Sequence, residues 1–369
     1  MPIKLCFCTD GIFPESIGGM QRHSLLLINE LSKYDIEIVV FHPHNKNLFQ
    51  SKQNIKEIFV EPIDKNKTYL KECYYYSKRI YNQLQNYKDY IIYSQGLSVW
   101  YGIKKIKNII VNPHGLEPYQ AIGRKEKLYG IPFKIIFNKI FNKANFVVSL
   151  GGKLTGILKE NISNKQTEIV IIPNGTNIPD YKRENKNSET LKVFFVGRFE
   201  SNKGINILLQ AAQELNNEGY TNIEYILGGK GSLFEELKNK YTSSNFIFKG
   251  FISDQDLNDY YKEADIFILP TLFEGMPTVV LEAMSYSLPV IVTNVGATAE
   301  LVNHENGFLI EANNKEAIKD SLIKFTKLST EEILKMQDNS FRKVKNLFTW
   351  EIIAKKHIEL FKKITIKIY

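Results

Sequence analysis

Residues 193–215 read VFFVGRFESNKGINILLQAAQEL, and the order of their parts decides the fold class. The apolar run 193–196 is too short for a helix and suits a strand buried on both faces. A loop bounded by Gly197 and Gly204 follows. Over 205–215, Leu208, Ala211, Ala212 and Leu215 recur at the spacing that lines one face of a helix. Working outward, short apolar runs at 223–227, 246–248, 266–269 and 290–292 predict further strands, with helical segments between them. The front of the chain repeats the pattern. It has an apolar run at 3–9, a glycine-containing loop, a helical pattern over 20–31 carried by Leu26, Leu27 and Leu31, and a second strand at 36–41. Strand–helix alternation predicts parallel sheets with helices on both faces. Between the two series, residues 179–190 read PDYKRENKNSET, a polar, charged and aperiodic linker. The expected fold is α/β, with two Rossmann-like, doubly wound domains at 1–180 and 190–345. Ligands of such sheets bind beyond the carboxyl ends of the strands, so a central cleft faced by both domains is the expected site.

Composition excludes several classes. The 369 residues are 43% hydrophobic and rich in Tyr and Phe, which argues against disorder. Three cysteines do not make a disulfide scaffold. Cys6 and Cys8 read as two residues on one face of a strand, and a Cys-x-Cys without partners is not a metal site. No run approaches the roughly 18 apolar residues of a membrane span. The start of the chain, with Lys4 and an early Asp10, lacks the apolar region and cleavage site of a signal peptide, so a cytoplasmic protein is expected. The net charge of +8 comes from lysines interleaved with acids, which reads as a solvated surface, and no nucleic-acid partner is expected.

Four stretches carry residue types suited to chemistry. In residues 197–204, Arg198 and Lys203 stand at the end of a strand and beside a helix start, where two cations clamp a pyrophosphate. Locally the pattern also fits two surface cations. Residues 274–282 read EGMPTVVLE. Pro277 suits the first helical turn, Gly275 permits close backbone approach, and the N–H groups of Met276, Thr278 and Val279 favour an anion. Glu274 and Glu282 flank that helix start, and carboxylates accept hydrogen bonds from sugar hydroxyls. Phosphate in the middle and a polyol at each end describe a nucleotide sugar. The same acids also fit a helix start that complements its dipole. Residues 16–20, SIGGM, place Gly18 and Gly19 before the first helix, either as a ligand approach or as a plain tight turn. His114, in the loop 112–115 after an apolar run, either meets a sugar hydroxyl and assists proton transfer or is structural. His42 and His44 read as loop residues. The stretch 228–232, GGKGS, is neither a dinucleotide fingerprint nor a P-loop.

Taken together, EGMPTVVLEAM at 274–284, Gly197-Arg198 with Lys203-Gly204, and IPNG at 172–175 resemble the donor site of family 4 (GT4) retaining glycosyltransferases. Gly18-Gly19, His114-Gly115 and the FTWE at 348–351 fall in the same order. The resemblance spans nearly the whole chain and is strongest over 191–310. It implies the GT-B fold, with a helix at about 350–364 returning to the N-terminal domain. It implies that Arg198 and Lys203 hold the diphosphate, that Glu282 takes the ribose and that Glu274 takes the donor sugar. By the same resemblance, Gly275, Met276, Pro277 and Thr278 present backbone to sugar and phosphate. Gly18 and Gly19 approach the diphosphate, His114 lies near donor sugar and acceptor, and Gly229, Gly231 and Phe251 lie near the base. Glu274, His114, Arg198 and Lys203 are thereby the expected catalytic set. The implied reaction moves a hexosyl residue from a UDP- or GDP-linked sugar to an acceptor hydroxyl, with retention and without a metal or other cofactor. Bacterial surface glycan synthesis (lipopolysaccharide, capsule or lipid-linked oligosaccharide) is the implied setting. A sugar-nucleotide epimerase or hydrolase of the same fold, and a non-catalytic nucleotide-sugar-binding protein, are the competing readings.

Residues 133–143, FKIIFNKIFNK, put Phe133, Ile136, Phe137, Ile140 and Phe141 on one helical face and lysines on the other. With Arg124, Lys125 and Lys127 upstream, this segment is expected either to lie on an anionic bilayer near a lipid-linked acceptor or to pack on its own sheet.

Overall fold

The computed structural model describes residues 2–64, 66–121, 123–184 and 189–366; residues 185–188 of the expected linker lie outside them. The strands are β1 Ile3–Cys8, β2 Ile36–His42, β3 Ile55–Phe59, β4 Ile91–Gln95, β5 Ile109–Asn112, β6 Phe146–Ser149, β7 Glu168–Ile171, β8 Leu191–Val196, β9 Ile223–Gly228, β10 Phe246–Gly250, β11 Ile266–Leu269, β12 Val290–Thr293 and β13 Gly307–Ile310. The helices are α1 Gly19–Leu31, α2 Tyr69–Leu84, α3 Glu117–Gln120, α4 Arg124–Phe141, α5 Gly152–Asn161, α6 Ile205–Asn217, α7 Phe234–Lys240, α8 Asp254–Glu263, α9 Thr278–Ser285, α10 Thr298–Leu301, α11 Lys315–Thr326, α12 Thr330–Leu347 and α13 Trp350–Ile366. They form two compact units, Met1–Gly175 with Trp350–Tyr369, and Thr176–Thr349.

Unit 1 holds a seven-stranded sheet in the order β3-β2-β1-β4-β5-β6-β7, every neighbouring pair parallel. Its central strands are buried along almost their whole length, which is why they read as unbroken apolar runs. Cys6 and Cys8 are buried in β1. Helix α13 belongs to this unit for a reason visible in its spacing. Trp350, Ile353, Ala354, His357, Leu360, Phe361 and Ile364 recur every three or four residues, and all are buried, against α1 and β4. Ile353, Leu360, Phe361 and Ile364 contribute roughly 1.5–3 kcal/mol each on burial, so α13 is core rather than appendage.

Unit 2 holds a six-stranded parallel sheet in the order β10-β9-β8-β11-β12-β13. The front of the stretch expected to be a linker, with the residues just before it, contributes to this unit. Thr176 pairs with Thr349, and the Arg183 guanidinium donates to the carbonyls of Tyr286, Ala264 and Tyr261 at 3.0, 2.9 and 2.8 Å. A planar fork of donors satisfies three carbonyls at once, which ties this segment down. The division therefore falls after Gly175, several residues before the expected 180.

Two further expectations change. His42 is a buried strand residue whose Nε2 lies 3.0 Å from Glu57 Oε2, not a loop residue. His44 accepts from the Ile12 amide through Nε2 at 2.9 Å. In α4, Ile136, Phe137, Ile140 and Phe141 are buried within unit 1, so of the two alternatives for this face the packed one holds. The exposed apolar residues of α4 lie elsewhere, at Leu128, Tyr129, Ile131 and Ile135.

Each sheet has one switch point, where strand order reverses and the loops on either side run apart: between β1 and β4 in unit 1, and between β8 and β11 in unit 2. Open parallel sheets hold ligands at such points.

Candidate functional site

In unit 2 the two motifs are the loops on either side of the switch point. The loop after β8 runs through the short 3-10 turn Ser201–Lys203 into α6. At Gly204, with φ +70, a Cβ would collide with the Pro270 carbonyl, so only glycine lets these loops meet. The Asn202 carbonyl accepts from Thr271 Oγ1 and from the Leu272 amide at 2.9 and 2.8 Å, tying the loop after β8 to the loop after β11. Across this seam Lys203 Nζ donates to Glu274 Oε1, with the two side chains 19% and 14% exposed. One expected phosphate ligand and one expected sugar ligand are thus brought together as an ion pair. Arg198 is exposed on the same loop after β8.

The glycines expected near a base do backbone work. Gly229, with φ +125, donates to the Gly250 carbonyl at 2.6 Å, and a Cβ on it would strike the Gly197 carbonyl. Gly231 lies against the Phe199 backbone, and Glu200 fixes the same turn through the Ser232 amide and hydroxyl at 3.0 and 2.8 Å. Phe251 is 66% exposed directly after β10.

Pro277 is the N-cap of α9 rather than a first-turn residue, so the helix opens at Thr278. The first-turn N–H groups, those of Thr278 and Val279 among them, have no acceptor within the helix. Met276 is buried, and the Gly275 carbonyl accepts from the Ala297 amide at 2.8 Å. One turn into α9, Glu282 accepts from Tyr261 Oη at 3.1 Å, a hydroxyl shared with the Val279 carbonyl at 3.3 Å. The Tyr261 ring stacks on Tyr286.

In unit 1 the loops at the switch point carry a network of uncharged groups, together with Asp10 just past β1. Gly18 and Gly19 open α1, and a side chain on Gly19 would meet open space. His114 follows β5 with φ +60, a conformation that a non-glycine residue keeps only where its surroundings hold it. Its amide donates to Asn112 Oδ1 at 3.0 Å. Asn112 Nδ2 in turn donates to Tyr93 Oη at 3.0 Å, and Tyr93 Oη lies 2.9 Å from His357 Nε2. His357 Nδ1 lies 2.8 Å from the Ile353 carbonyl, which can only accept. The direction of the whole chain is thereby set: His357 carries its proton on Nδ1, Tyr93 donates to Nε2, and the Asn112 amide must turn its oxygen to His114. The His114 ring donates through Nε2 to Gln95 Oε1, and Gln95 Nε2 lies 3.4 Å from His23 Nδ1. His114 Nδ1 therefore carries a lone pair and meets a hydroxyl as acceptor rather than donor. Burial, then the neighbouring His357, brings His114 down to about 3; burial alone brings His357 to about 4 and, with His114 and His357, lowers His23 well below its usual range. All three imidazoles are neutral at physiological pH.

Residues 17–178 match Glycosyltransferase Family 4, and residues 178–343 match Glycosyl transferases group 1. The chain belongs to the family 4 glycosyltransferases. It is 24% identical over 353 residues to an uncharacterized glycosyltransferase of Methanocaldococcus jannaschii, covering 92% of this chain and 93% of that one. Over 175 residues it is 30% identical to the UDP-Gal:alpha-D-GlcNAc-diphosphoundecaprenol alpha-1,3-galactosyltransferase of Escherichia coli, covering 43% of this chain and 45% of that one. The solved structure of sucrose-phosphate synthase from Thermosynechococcus elongatus matches with a TM-score of 0.83 at 19% identity, covering 100% of each chain. That likeness is one of fold, the two parallel-sheet units of GT-B glycosyltransferases.

In this glycosyltransferase the residues missed from sequence are those that orient the recognised ones. Tyr261 aims Glu282, while Gln95, Asn112, Tyr93 and His357 hold His114. Gly296, with φ +53, rests on the Glu274 and Gly275 carbonyls, and its place after a strand was the one local signal for it. Asp10, just past β1, has its carboxyl raised by burial and accepts from Gln21 Nε2 at 3.3 Å. Among the described residues, no group of three or more His, Cys, Asp or Glu is placed to hold a metal ion.

Proposed function

We propose that this glycosyltransferase moves a hexosyl residue from a UDP- or GDP-linked sugar to an acceptor hydroxyl, with retention, in building a bacterial surface glycan. The observation that carries the reading is the Lys203–Glu274 pair across the seam of β8 and β11, with Arg198 on the same loop as Lys203 and α9 opening at Thr278, shortly after Glu274. A diphosphate placed there competes with Glu274 for Lys203 and frees the carboxylate for sugar hydroxyls. As the anomeric C–O bond breaks, charge grows on the diphosphate, and Arg198 and Lys203 stabilise it. The acceptor oxygen bonds to the anomeric carbon, and its proton passes to the departing phosphate oxygen. Glu282, aimed by Tyr261, takes the ribose. The cations do the work a divalent metal would do, so the reading requires none. A relative named for a UDP-Gal donor and a diphosphoundecaprenol acceptor supports a nucleotide sugar and a lipid-linked glycan.

The test is thermal stability against UDP, GDP, ADP, dTDP, CMP and NAD, with and without EDTA, since a ligand of the native state raises Tm. The expected result is a rise with UDP or GDP that survives EDTA and is lost in Arg198→Ala and Glu282→Ala. No rise with any diphosphate, or a rise with NAD alone, sinks the reading.

The same reading places the enzyme on the cytoplasmic side, peripheral on an anionic membrane. Support comes from the exposed Leu128, Ile131 and Ile135 of α4 beside Arg124, Lys125 and Lys127. Salt-sensitive pelleting with anionic vesicles, lost in Leu128→Ser/Ile135→Ser, is expected; salt-independent or absent pelleting rejects it.

A further inference from the structure

Between β4 and β5 the chain makes only the short turn Ile103–Lys105 instead of a full helix. Over this turn lies a pocket of about 250 Å³, walled by Tyr74 and Tyr81 of α2, by Trp100 and Tyr101, and by Lys104, Lys105 and Lys139. It is separate from the residues discussed above, and its walls are positioned. Ser77 Oγ accepts from the amides of Trp100 and Tyr101 at 2.5 and 2.7 Å. Gly102 has φ +68, and any side chain there would run into the Tyr81 ring.

Three features narrow the ligand. First, the charge is one-sided. No carboxylate lines the pocket, and among the described residues Lys104, Lys105 and Lys139 are in no ion pair. Lys78 adds a fourth ammonium, 5.7 Å over the Tyr101 ring. Second, the rings stand edge to face: Tyr74 to Trp100 at 78°, Tyr74 to Tyr101 at 78° and Tyr81 to Tyr101 at 70°. None of these three ring contacts is a parallel stack, and angled walls suit a puckered ring. Third, the hydroxyls of Tyr74, Tyr81 and Tyr101 make no hydrogen bond among the described residues, so they are available to a polyol. The volume lies below the roughly 300 Å³ at which drug-sized ligands begin, which leaves room for a single sugar unit.

We propose that this pocket binds an acidic sugar unit of a glycan, with its carboxylate or phosphate on Lys104, Lys105 and Lys139 and its ring on Trp100 and the tyrosines. That the anion is part of a saccharide rests on the glycosyltransferase reading; the anionic preference rests on the lysines alone.

Trp100 reports directly, because Trp350, the other of the two tryptophans, is 3% exposed. The full chain, without nucleotide, is titrated with a tetrasaccharide of alternating glucuronic acid and N-acetylglucosamine, with its carboxyl-reduced counterpart, with inorganic phosphate, and with phosphatidylglycerol vesicles. A saturable change in emission is expected with the acidic tetrasaccharide. It should vanish in Trp100→Phe and need about tenfold more sugar in Lys104→Ala/Lys105→Ala. Lys104 and Lys105 are exposed and Phe keeps an aromatic ring at the half-buried Trp100, so folding is kept. No change with the acidic sugar, equal binding of its carboxyl-reduced form, or a response to phosphate or vesicles alone overturns the proposal. Nucleoside diphosphate binding, read by Tm on the same proteins, should be unaltered by these substitutions. Loss of diphosphate binding in the unmodified chain with the Trp100 response intact counts against the donor site alone.

Discussion

The two units solve one problem with opposite materials. Both sheets reverse strand order once, and both gather candidate residues at the carboxyl ends beside that reversal. Unit 2 lines the place with charge: Arg198, the Lys203–Glu274 pair, Glu282. Unit 1 lines it with buried, neutral, mutually hydrogen-bonded groups: His23, Tyr93, Gln95, Asn112, His114 and His357. Charges kept partly in water cost little to maintain and respond strongly to an arriving diphosphate. Neutral polar groups in the interior hold their geometry only if every donor finds an acceptor. The first arrangement suits stabilising an anion, and the second suits holding a single imidazole in one tautomer.

The contrast predicts where substitutions bite. Removing charge from unit 2 should damage turnover and spare folding. Arg198→Ala should lower transfer about 10²–10³-fold, as for other donors aimed at developing charge. Its Tm should stay within a degree or two, because the side chain is exposed; a large fall in Tm with near-normal turnover would erase the distinction.

Lowering the pH should damage the folding of unit 1 first. His357 has a native value of about 4 against roughly 6.5 unfolded, and His114 lies lower still. Above pH 6.5 neither state is protonated and nothing is lost. As the pH falls through 6.5 toward 4, the unfolded chain takes up protons that the native imidazoles refuse, so stability drops. The His357 contribution alone amounts to about 2 kcal/mol between pH 7 and pH 5, measurable by denaturant unfolding at those two pH values. A flat profile over that range, or His357→Gln with an unchanged slope, would mean the imidazoles are not held neutral.

A smaller effect is expected from Tyr93→Phe. It deletes one hydroxyl from the chain between His357 and Asn112 and should cost about 1–2 kcal/mol of stability. It should lower kcat while leaving nucleoside diphosphate affinity unchanged. Weaker donor binding with normal kcat would show that the chain serves unit 2 chemistry instead. Smallest of all, Phe251→Ala should shift stability by less than about 0.5 kcal/mol, since the ring is 66% exposed. Any clear loss of nucleotide affinity in that variant would place Phe251 at the base.

The same contrast explains what could be read from the letters. In unit 2 each motif is one loop, so Arg198, Lys203, Glu274 and Glu282 announce themselves by spacing along a few residues. The strand-and-helix alternation was legible for the same reason, because a buried parallel strand is an unbroken apolar run. The histidine network joins Tyr93 to His357 across 264 positions, and no local pattern encodes such a pairing. His114 was visible as a histidine in a loop after a strand, but not its tautomer, which Gln95 at the end of β4 decides. Residues 46–108 resisted reading because β3 is a partly exposed edge strand and the β4–β5 connection has no helix to mark it. The apolar face of α4 was seen but left between a bilayer and the protein's own sheet, because amphipathicity gives a direction and not the identity of what lies there; Ile136, Phe137, Ile140 and Phe141 are buried.

Helix α13 has a consequence for the order in which the protein is made. Unit 2 is one uninterrupted stretch, Thr176–Thr349, whereas unit 1 is split by it. On the ribosome, the nascent chain exposes β1 to β7 long before Trp350, Ile353, Phe361 and Ile364 have been synthesised. Until they emerge, the surface of α1 that they cover stays wet, and Tyr93 and Asn112 wait for the imidazole that orders them. The half of the molecule translated first is therefore the half completed last, and vectorial synthesis finishes the middle before the beginning.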